Sequence, residues 1–402
     1  MKSGTRGAID VFERWRAVGL IGGWQTAASL CYYSIFAATG FVREAFSLSE
    51  SLVGVFLTAA LVGYTVALFP SGAAVDGYGE RPVMLAGLAG LALAAVAMPF
   101  APTYAVALGV AVILGAAYST AMPASNRGIV AAAPTGRTNL AMGFKQVGVT
   151  TGSAAASLVV TGVAAVAAWQ VGFWAIGLLA VGYAALFGVR YRGRPGTGEL
   201  SIPDVRGLFG RPTYVTLVAA GFFIGASIFT MLGYIVLFVQ DAVGTSPALG
   251  GVALALTQLT GSGARIGAGS LADRLGSARG AALVALGQLG LGGTLFGALA
   301  LAPRSIALAL VLFAGLGVSI HGSTGVFYSC LTELVDDDEV GAATAGGQTA
   351  INLGGVVTPP LFGLLVETAG YNAAWALLAG TAGLGAVLLL TVVRRPSGGT
   401  WI

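Results

Sequence analysis

The chain has little with which to do chemistry. Its 402 residues include one histidine, two cysteines and only 9% charged side chains. One histidine and two isolated cysteines cannot assemble a ligand set of the zinc type, so no metal site is expected. Cys31 and Cys330 lie far apart in apolar segments, which argues against a disulfide framework. No Gly-x-x-x-x-Gly-Lys-Ser/Thr phosphate loop is present, which argues against an ATP-driven pump. His321 has Ser319 and Ser323 on its own helix but no acid placed to support them, so neither an enzyme nor a cofactor is expected. None of the sixteen acidic residues falls near the middle of an apolar run. A carboxylate at that depth is a frequent proton relay, so its lack weighs against a proton-driven exporter of cations or drugs. Charge is also too scarce for a water-soluble protein, which carries about 25% charged residues.

What is there instead is apolar length. With 56% hydrophobic residues, lipid must be the solvent for most of the chain, and a spanning helix needs roughly 20 residues. The sequence divides into twelve such runs, at 17–41, 50–74, 82–101, 104–128, 139–164, 168–190, 213–240, 247–272, 279–302, 305–331, 341–366 and 371–393. The first run is long enough to span and is followed by more of its kind, so it reads as a membrane helix and not as a cleaved signal. The 63 glycines suit close packing between membrane helices. The net charge of +4 does not point to nucleic acid, because the basic residues sit in short connections. With the amino terminus placed in the cytoplasm, sixteen Lys/Arg fall on that side, Arg43 and Arg304 on the other, and Lys145 and Arg265 inside helices. This positive-inside bias predicts a multi-pass protein of the cell membrane with both termini cytoplasmic.

The two halves resemble each other. Residues 72–84 (GAAVDGYGERPVM) and 269–281 (GSLADRLGSARGA) share Gly-x-x-x-Asp-x-x-Gly, as Gly72, Asp76, Gly79 and Gly269, Asp273, Gly276. The same offset of 197 aligns residues 41–55 with 238–252, identical at seven of fifteen positions. Residues 191–212, rich in Gly, Pro and Arg, read as a cytoplasmic linker between a first six-helix half (1–190) and a second (213–402). Internal repeats of this kind are a mark of secondary transporters. The acidic run at 336–339 reads as a solvated hairpin.

With these features the chain resembles the major facilitator superfamily along essentially its full length. The family loop, Gly-x-x-x-Asp-(Arg/Lys)-x-Gly-(Arg/Lys)-(Arg/Lys), follows helices 2 and 8. The second copy keeps Gly269, Asp273, Arg274, Gly276 and a displaced Arg279; the first keeps Gly72, Asp76, Gly79 and Arg81 but has Gly77 where a base is expected, and Glu80. The resemblance implies an all-α membrane fold of twelve helices in two pseudo-symmetric halves, working by alternating access, with these loop residues as a gate. The poorer first copy shifts the expected gating role toward the second. Arg265-x-x-x-Gly269-x-x-x-Asp273-Arg274 and Met142-Gly143-Phe144-Lys145-Gln146-Val147-Gly148 are similar to stretches of the monocarboxylate, oxalate–formate and cyanate or nitrate porters. The arginine of the nitrate porters on helix 2 has no counterpart, and neither has the Gly-Pro-x-x-Gly-Gly ending of the drug antiporters on helix 5.

The polar residues inside the helices are the candidate substrate ligands. Arg265 stands eight residues before Asp273, about 12 Å into the membrane at roughly 1.5 Å per residue. An arginine there needs a polar interior, and its planar fork suits a carboxylate or nitrate. A structural arginine bonding helix carbonyls is the alternative. Lys145 is either a ligand or a lysine snorkelling to the surface. Gln146, Gln348 and Asn352 can orient a ligand or bridge helices. His321 can carry a proton or be a neutral side chain satisfied by a neighbouring helix. Trp24, Tyr33 and nearby aromatics can line a cavity or simply pack. Gly354, Gly355, Pro359, Pro360 and Gly363 mark a bending segment on helix 11. The expected function is secondary transport of a small organic or inorganic anion by a monomer in the lipid bilayer, the coupling ion (proton or counter-substrate) being undetermined. An exporter of neutral or amphipathic solutes, and a non-transporting sensor on the same fold, remain as other readings.

Overall fold

Every secondary-structure element among the described residues is helical. The computed structural model describes residues 2–200, 205–301, 305–336 and 339–394, without the side chains of residues 2–10 and 139. Linker residues 201–204, Arg304, Asp337, Asp338 and Arg395 lie outside the described residues, as do the side chains of Lys2 and Arg6.

The first half of the sequence forms α1 (Lys2–Ala37), α2 (Thr39–Phe46), α3 (Glu50–Tyr78), α4 (Glu80–Ala97), α5 (Tyr104–Tyr118), α6 (Ala121–Ala132), α7 (Thr138–Ala164) and α8 (Trp169–Arg190). The second forms α9 (Pro212–Asp241), α10 (Pro247–Leu275), α11 (Ala278–Leu299), α12 (Ile306–Leu316), a π turn at Gly317–His321, α13 (Ser323–Thr332) and α14 (Val340–Arg394). Three expected spans are interrupted: α1 and α2 meet at Ala38, α5 and α6 at Ser119 and Thr120, and α12 and α13 at the π turn. Conversely, α14 holds two expected helices, parted only at Gly370, whose φ of 80° is open to glycine and costly for other residues. Counted this way, the fourteen helices make the twelve rods expected. Among the described residues nine helical stretches are long and apolar enough to cross a membrane, two of them running through the breaks between α5 and α6 and between α12 and α13. α1 begins well before Ala17, because charge excludes residues 2–16 from lipid but not from a helix; Arg16 pairs with Glu13 one turn back at 3.0 Å.

Packing divides the chain into two compact units, one of Met1–Ser34 and Gly63–Ile202, the other of Ile35–Val62 and Pro203–Ile402. In the first, Trp24 is fully buried and its indole N–H donates to the Met84 carbonyl at 2.9 Å, tying α1 to α4. Tyr32 stacks on Tyr118 with ring centroids 4.1 Å apart, and the Tyr118 hydroxyl lies 3.1 Å from that of Ser29. In the second unit α9 is buried along most of its length against α14. A β-carbon on Gly225 would overlap the Ile351 carbonyl, and one on Gly354 the Phe222 carbonyl. Two backbones this close gain dispersion and exclude lipid, the usual means of helix association in a membrane. Residues 35–62 belong to this unit because Leu57 fills the space over Gly233 and Gly54 lies on the Pro359 carbonyl.

Candidate functional site

The π turn is the irregularity around which the polar residues of the second unit collect. It forms where the Gly322 amide reaches the Gly317 carbonyl, five residues back, at 2.9 Å. A wide turn disrupts the regular carbonyl ladder, and such bulges recur at functional sites. Side chains from neighbouring helices meet the local carbonyls. Gln288 on α11 donates to Val318 O at 3.0 Å, the Thr260 hydroxyl on α10 lies 3.0 Å from Ala314 O, and Arg265 Nε donates to His321 O at 3.2 Å.

Arg265 also places Nη2 3.3 Å from His321 Nε2. A guanidinium only donates, so this contact makes Nε2 the acceptor and leaves the imidazole neutral with its hydrogen on Nδ1. His321 is 6% exposed, and its Nδ1 has no partner among the described residues. Two turns on, Tyr328 lies within reach of the Arg265 charge and donates to Gln348 Oε1 at 2.5 Å. Gln348 Nε2 in turn donates to Asn352 Oδ1 at 2.8 Å. That chain orients both amides and leaves Asn352 Nδ2, fully buried, as a donor without a partner. A buried donor left unpaired costs about 1–3 kcal/mol. Among the described residues the cluster thus presents one cation, Arg265, and two unfilled donors, and no carboxylate is seen in it.

In the first unit Lys145 is 2% exposed and does not reach solvent. Its Nζ donates to Asn126 Oδ1 at 2.5 Å and lies 4.0 Å from Met122 Sδ. Among the described residues its partners are neutral, so this buried ammonium lacks the counter-charge that such a group normally has. Gln146, one residue on, is exposed; its carbonyl accepts from the Thr150 hydroxyl at 3.3 Å, and its side-chain amide makes no hydrogen bond among the described residues. Tyr33 is partly buried, its ring edge-on to Tyr32 and Tyr118. Trp24 is enclosed between α1 and α4.

The two loop copies differ. The first shrinks to Gly79 alone, whose φ is 88°. Asp76 ends α3, and Glu80 opens α4 fully buried. Arg127 on α6 contacts both carboxylates, Asp76 at 3.4 Å and Glu80 at 3.3 Å, so it supplies the base missing at Gly77. The linker lies across the loop: the Thr197 amide donates to Asp76 O at 2.8 Å, the Gly198 amide to Gly77 O at 3.1 Å, and the Arg194 amide to Glu80 Oε1 at 2.7 Å. Gly77 is explained by this strap, since a side chain there would meet Leu200. Arg81 neutralises the end carbonyls of α8, donating to Gly188 O at 2.6 Å and Tyr191 O at 2.9 Å. Tyr191 donates to Glu80 at 3.2 Å; burial first, then the Glu80 charge, pushes its phenol up. Gly72 has open space around it. In the second copy Asp273, Arg274 and Gly276 are exposed, and Asp273 and Arg274 form no ion pair among the described residues. Gly269 has open space around it, and Gly276 ends α10 with a φ of 62°.

An ion cluster at the other ends of these helices was not foreseen. Arg43 on α2 bonds Asp241 at the end of α9 and also Glu50 at the start of α3. The Asp241 carboxylate holds the Arg43 guanidinium firmly in its charged form. Tyr371 donates to Asp241 at 3.1 Å, and Glu367 accepts the Ser51 amide at 2.6 Å. Sequence reasoning passed over these residues, and Arg127, Asn126 and Tyr328, because each looks like an ordinary helix-end charge or an isolated polar residue. One signal was available: Tyr328 follows His321 by seven residues, the same helical face.

A family model described as Major Facilitator Superfamily matches residues 22–334 and 289–401. Among solved structures, a bacterial homolog of the human lysosomal transporter Spinster, in an inward-facing and occupied conformation, superposes with a TM-score of 0.78 at 14% identity, covering 96% of this chain and 99% of that one. The same kind of homolog in an inward-facing and unoccupied conformation gives 0.74 at 15% identity, with the same coverage. No curated protein matches the sequence.

Proposed function

Because the chain belongs to the Major Facilitator Superfamily, a superfamily of multi-pass secondary transporters working by alternating access, we propose that it carries a small organic or inorganic anion. The single observation behind this reading is the makeup of the cluster on α10, α13 and α14. Arg265 supplies the charge, and the buried atoms left over, His321 Nδ1 and Asn352 Nδ2, are both donors. Unfilled donors beside a cation in a site of low dielectric favour a ligand that only accepts and carries negative charge. Tyr328 and Gln348 act as positioning residues, since the bonds they make fix which face of Asn352 is free. Lys145, buried without a counter-charge, is a second candidate anion contact within its own unit, with Gln146 and Tyr33 as further candidates.

The protein resides in the cell membrane with both termini cytoplasmic, a placement supported by the charge bias of the connections. The gate is assigned to the ion-paired loop at Gly72, Asp76, Gly79 and Arg81, with Arg127, and to its counterpart at Gly269, Asp273, Arg274 and Gly276. Flux assays in proteoliposomes test the substrate class. Arg265→Ala abolishes uptake of carboxylates, nitrate or cyanate while Arg265→Lys keeps part of it; unchanged uptake in Arg265→Ala overturns the assignment.

A second reading takes its support from the Arg265 bond to the His321 carbonyl. There the arginine only braces the π turn, and the solute is neutral or amphipathic. In that case Arg265→Ala lowers thermal stability without changing which solutes are moved.

A further inference from the structure

Two adjoining cavities of about 240 and 450 Å³ lie where α1 passes the end of α8. Both are lined by Glu13, Ala17, Tyr191 and Arg192; the larger adds Arg16 and Arg190, the smaller Arg14 and Arg194. The basic residues are not equivalent. Arg14 donates to the Ala133 carbonyl at 3.2 Å and Arg194 to that of Ala131 at 3.2 Å. Arg16 is held by Glu13 at 3.0 Å. Arg190 and Arg192 are exposed and form no ion pair or hydrogen bond among the described residues.

The local backbone explains why these two stand together. α8 ends at Tyr191, which is extended with φ −92° and ψ 128°. In extended chain, residues i and i+2 share a face and i+1 points the other way. Tyr191 is the inward residue, 3% exposed, with its ring stacked on Phe187 at 4.6 Å and its hydroxyl on Glu80. Arg190 and Arg192 therefore face outward together, on a segment that Arg81 fixes through Gly188 and Tyr191.

On the membrane side of the arginines the surface is apolar. Val189 is 80% exposed, Leu186 is 44% exposed, and Leu20 lines the same cavity. A pair of uncommitted guanidiniums directly above an exposed apolar wall matches a ligand that is anionic at one end and hydrocarbon at the other. We propose that this groove between α1 and α8 binds the phosphodiester headgroup of an anionic membrane phospholipid, with Arg190 and Arg192 on the phosphate oxygens and an acyl chain along Val189 and Leu186. Guanidiniums pair with phosphate bidentately, and basic pockets between helices on the cytoplasmic side are where such headgroups are held. A free phosphate shares the headgroup chemistry but leaves the apolar wall unused. The lipid is a resident of the groove, separate from the solute moved at the Arg265 cluster.

Native mass spectrometry of the full chain tests this, after exchange into detergent containing phosphatidylglycerol, phosphatidylcholine or both. Wild type is expected to retain phosphatidylglycerol and release phosphatidylcholine. The Arg190→Gln/Arg192→Gln double variant is expected to lose retention about tenfold, Arg190→Lys/Arg192→Lys to keep part of it, and Arg137→Gln, an exposed arginine elsewhere, to match wild type. Millimolar glycerol phosphate is expected not to compete. Equal retention in the glutamine variant, or equal retention of both lipids, overturns the site. Full displacement by glycerol phosphate overturns the lipid assignment in favour of a soluble phosphate. Circular dichroism in phosphatidylcholine checks that each variant is folded.

Discussion

Arg43 grips Asp241 with both terminal nitrogens, Nη1 at 2.6 Å from Oδ2 and Nη2 at 2.9 Å from Oδ1. The two residues come from the two copies of one repeat, the stretches 41–55 and 238–252 that align at an offset of 197. Arg43 aligns with Gln240 and Glu44 with Asp241, so the copies differ in charge at the place where they meet. The base of the first copy thus meets the acidic position of the second, and with Gln240 in place of a second base Arg43 is the arginine that serves this junction. Glu50 shares the same arginine, so one cation serves two carboxylates.

This arrangement predicts an asymmetric response to mutation. Arg43→Ala strands both carboxylates and should cost about 1.5–3 kcal/mol, the range for hydrogen bonds to charged groups. Asp241→Asn removes one acceptor charge but leaves Glu50 paired, and should cost less. Thermal unfolding in detergent, with the double variant closing the cycle, measures the coupling. Additive effects of the two substitutions would show that the fork contributes nothing.

The linker strap predicts that restoring the family pattern does harm. A β-carbon on Gly196 would overlap the Gly77 carbonyl, and one on Gly79 the Arg194 carbonyl. Gly79 also holds a φ of 88°, strained for any other residue. Gly196→Ala and Gly79→Ala should lift the strap, and Gly77→Arg should displace Leu200 despite matching the expected base. Trypsin cleavage between Arg192 and Gly193 reads this directly, the bond after Arg194 being protected by Pro195. Faster cleavage in all three variants is expected, and wild-type rates in Gly196→Ala would refute the strap.

Arg211, just before α9, bonds Glu339, just before α14, at 2.7 and 2.9 Å. The guanidinium holds the Glu339 carboxyl below the usual carboxylate range. A carboxyl depressed in the folded state stabilises above its unfolded pKa, about 4.3, and that stability is lost as pH falls through the folded value. Melting temperatures of wild type and Glu339→Gln should therefore differ at pH 6, and the gap should shrink as pH falls below about 4.3. A gap that persists undiminished at pH 3 would mean the bridge is not its source.

Tyr328→Phe removes the donor that orients Gln348, and nothing else of comparable size. If the amide relay presents Asn352 to an anion, apparent affinity in flux assays should fall about 5- to 30-fold, corresponding to roughly 1–2 kcal/mol for one hydrogen bond. Maximal rate and thermal stability should hardly move. A matched fall in stability with unchanged affinity would make Tyr328 a packing residue.

Fold class and helix number were legible in the chain because length and apolarity decide them when lipid is the solvent, and the two-copy plan because a loop pattern recurs at an offset of 197. Arg265 and His321 also stood out, since a charged or titratable residue within an apolar run is rare. Their relationship did not. The π turn that brings the Arg265 Nε onto the His321 carbonyl depends on Gln288 and Thr260 from two other helices, and no local pattern around residues 317–321 announces it. Gly77 and Glu80 looked like losses from a loop pattern; the linker folding back over them, and Arg127 reaching in from α6, made them a buried joint. Hydrophobic length is a property of consecutive residues, and the chain alone determined it. Which buried donors find acceptors depends on residues brought together from distant parts of the chain, and only the tertiary structure decided that.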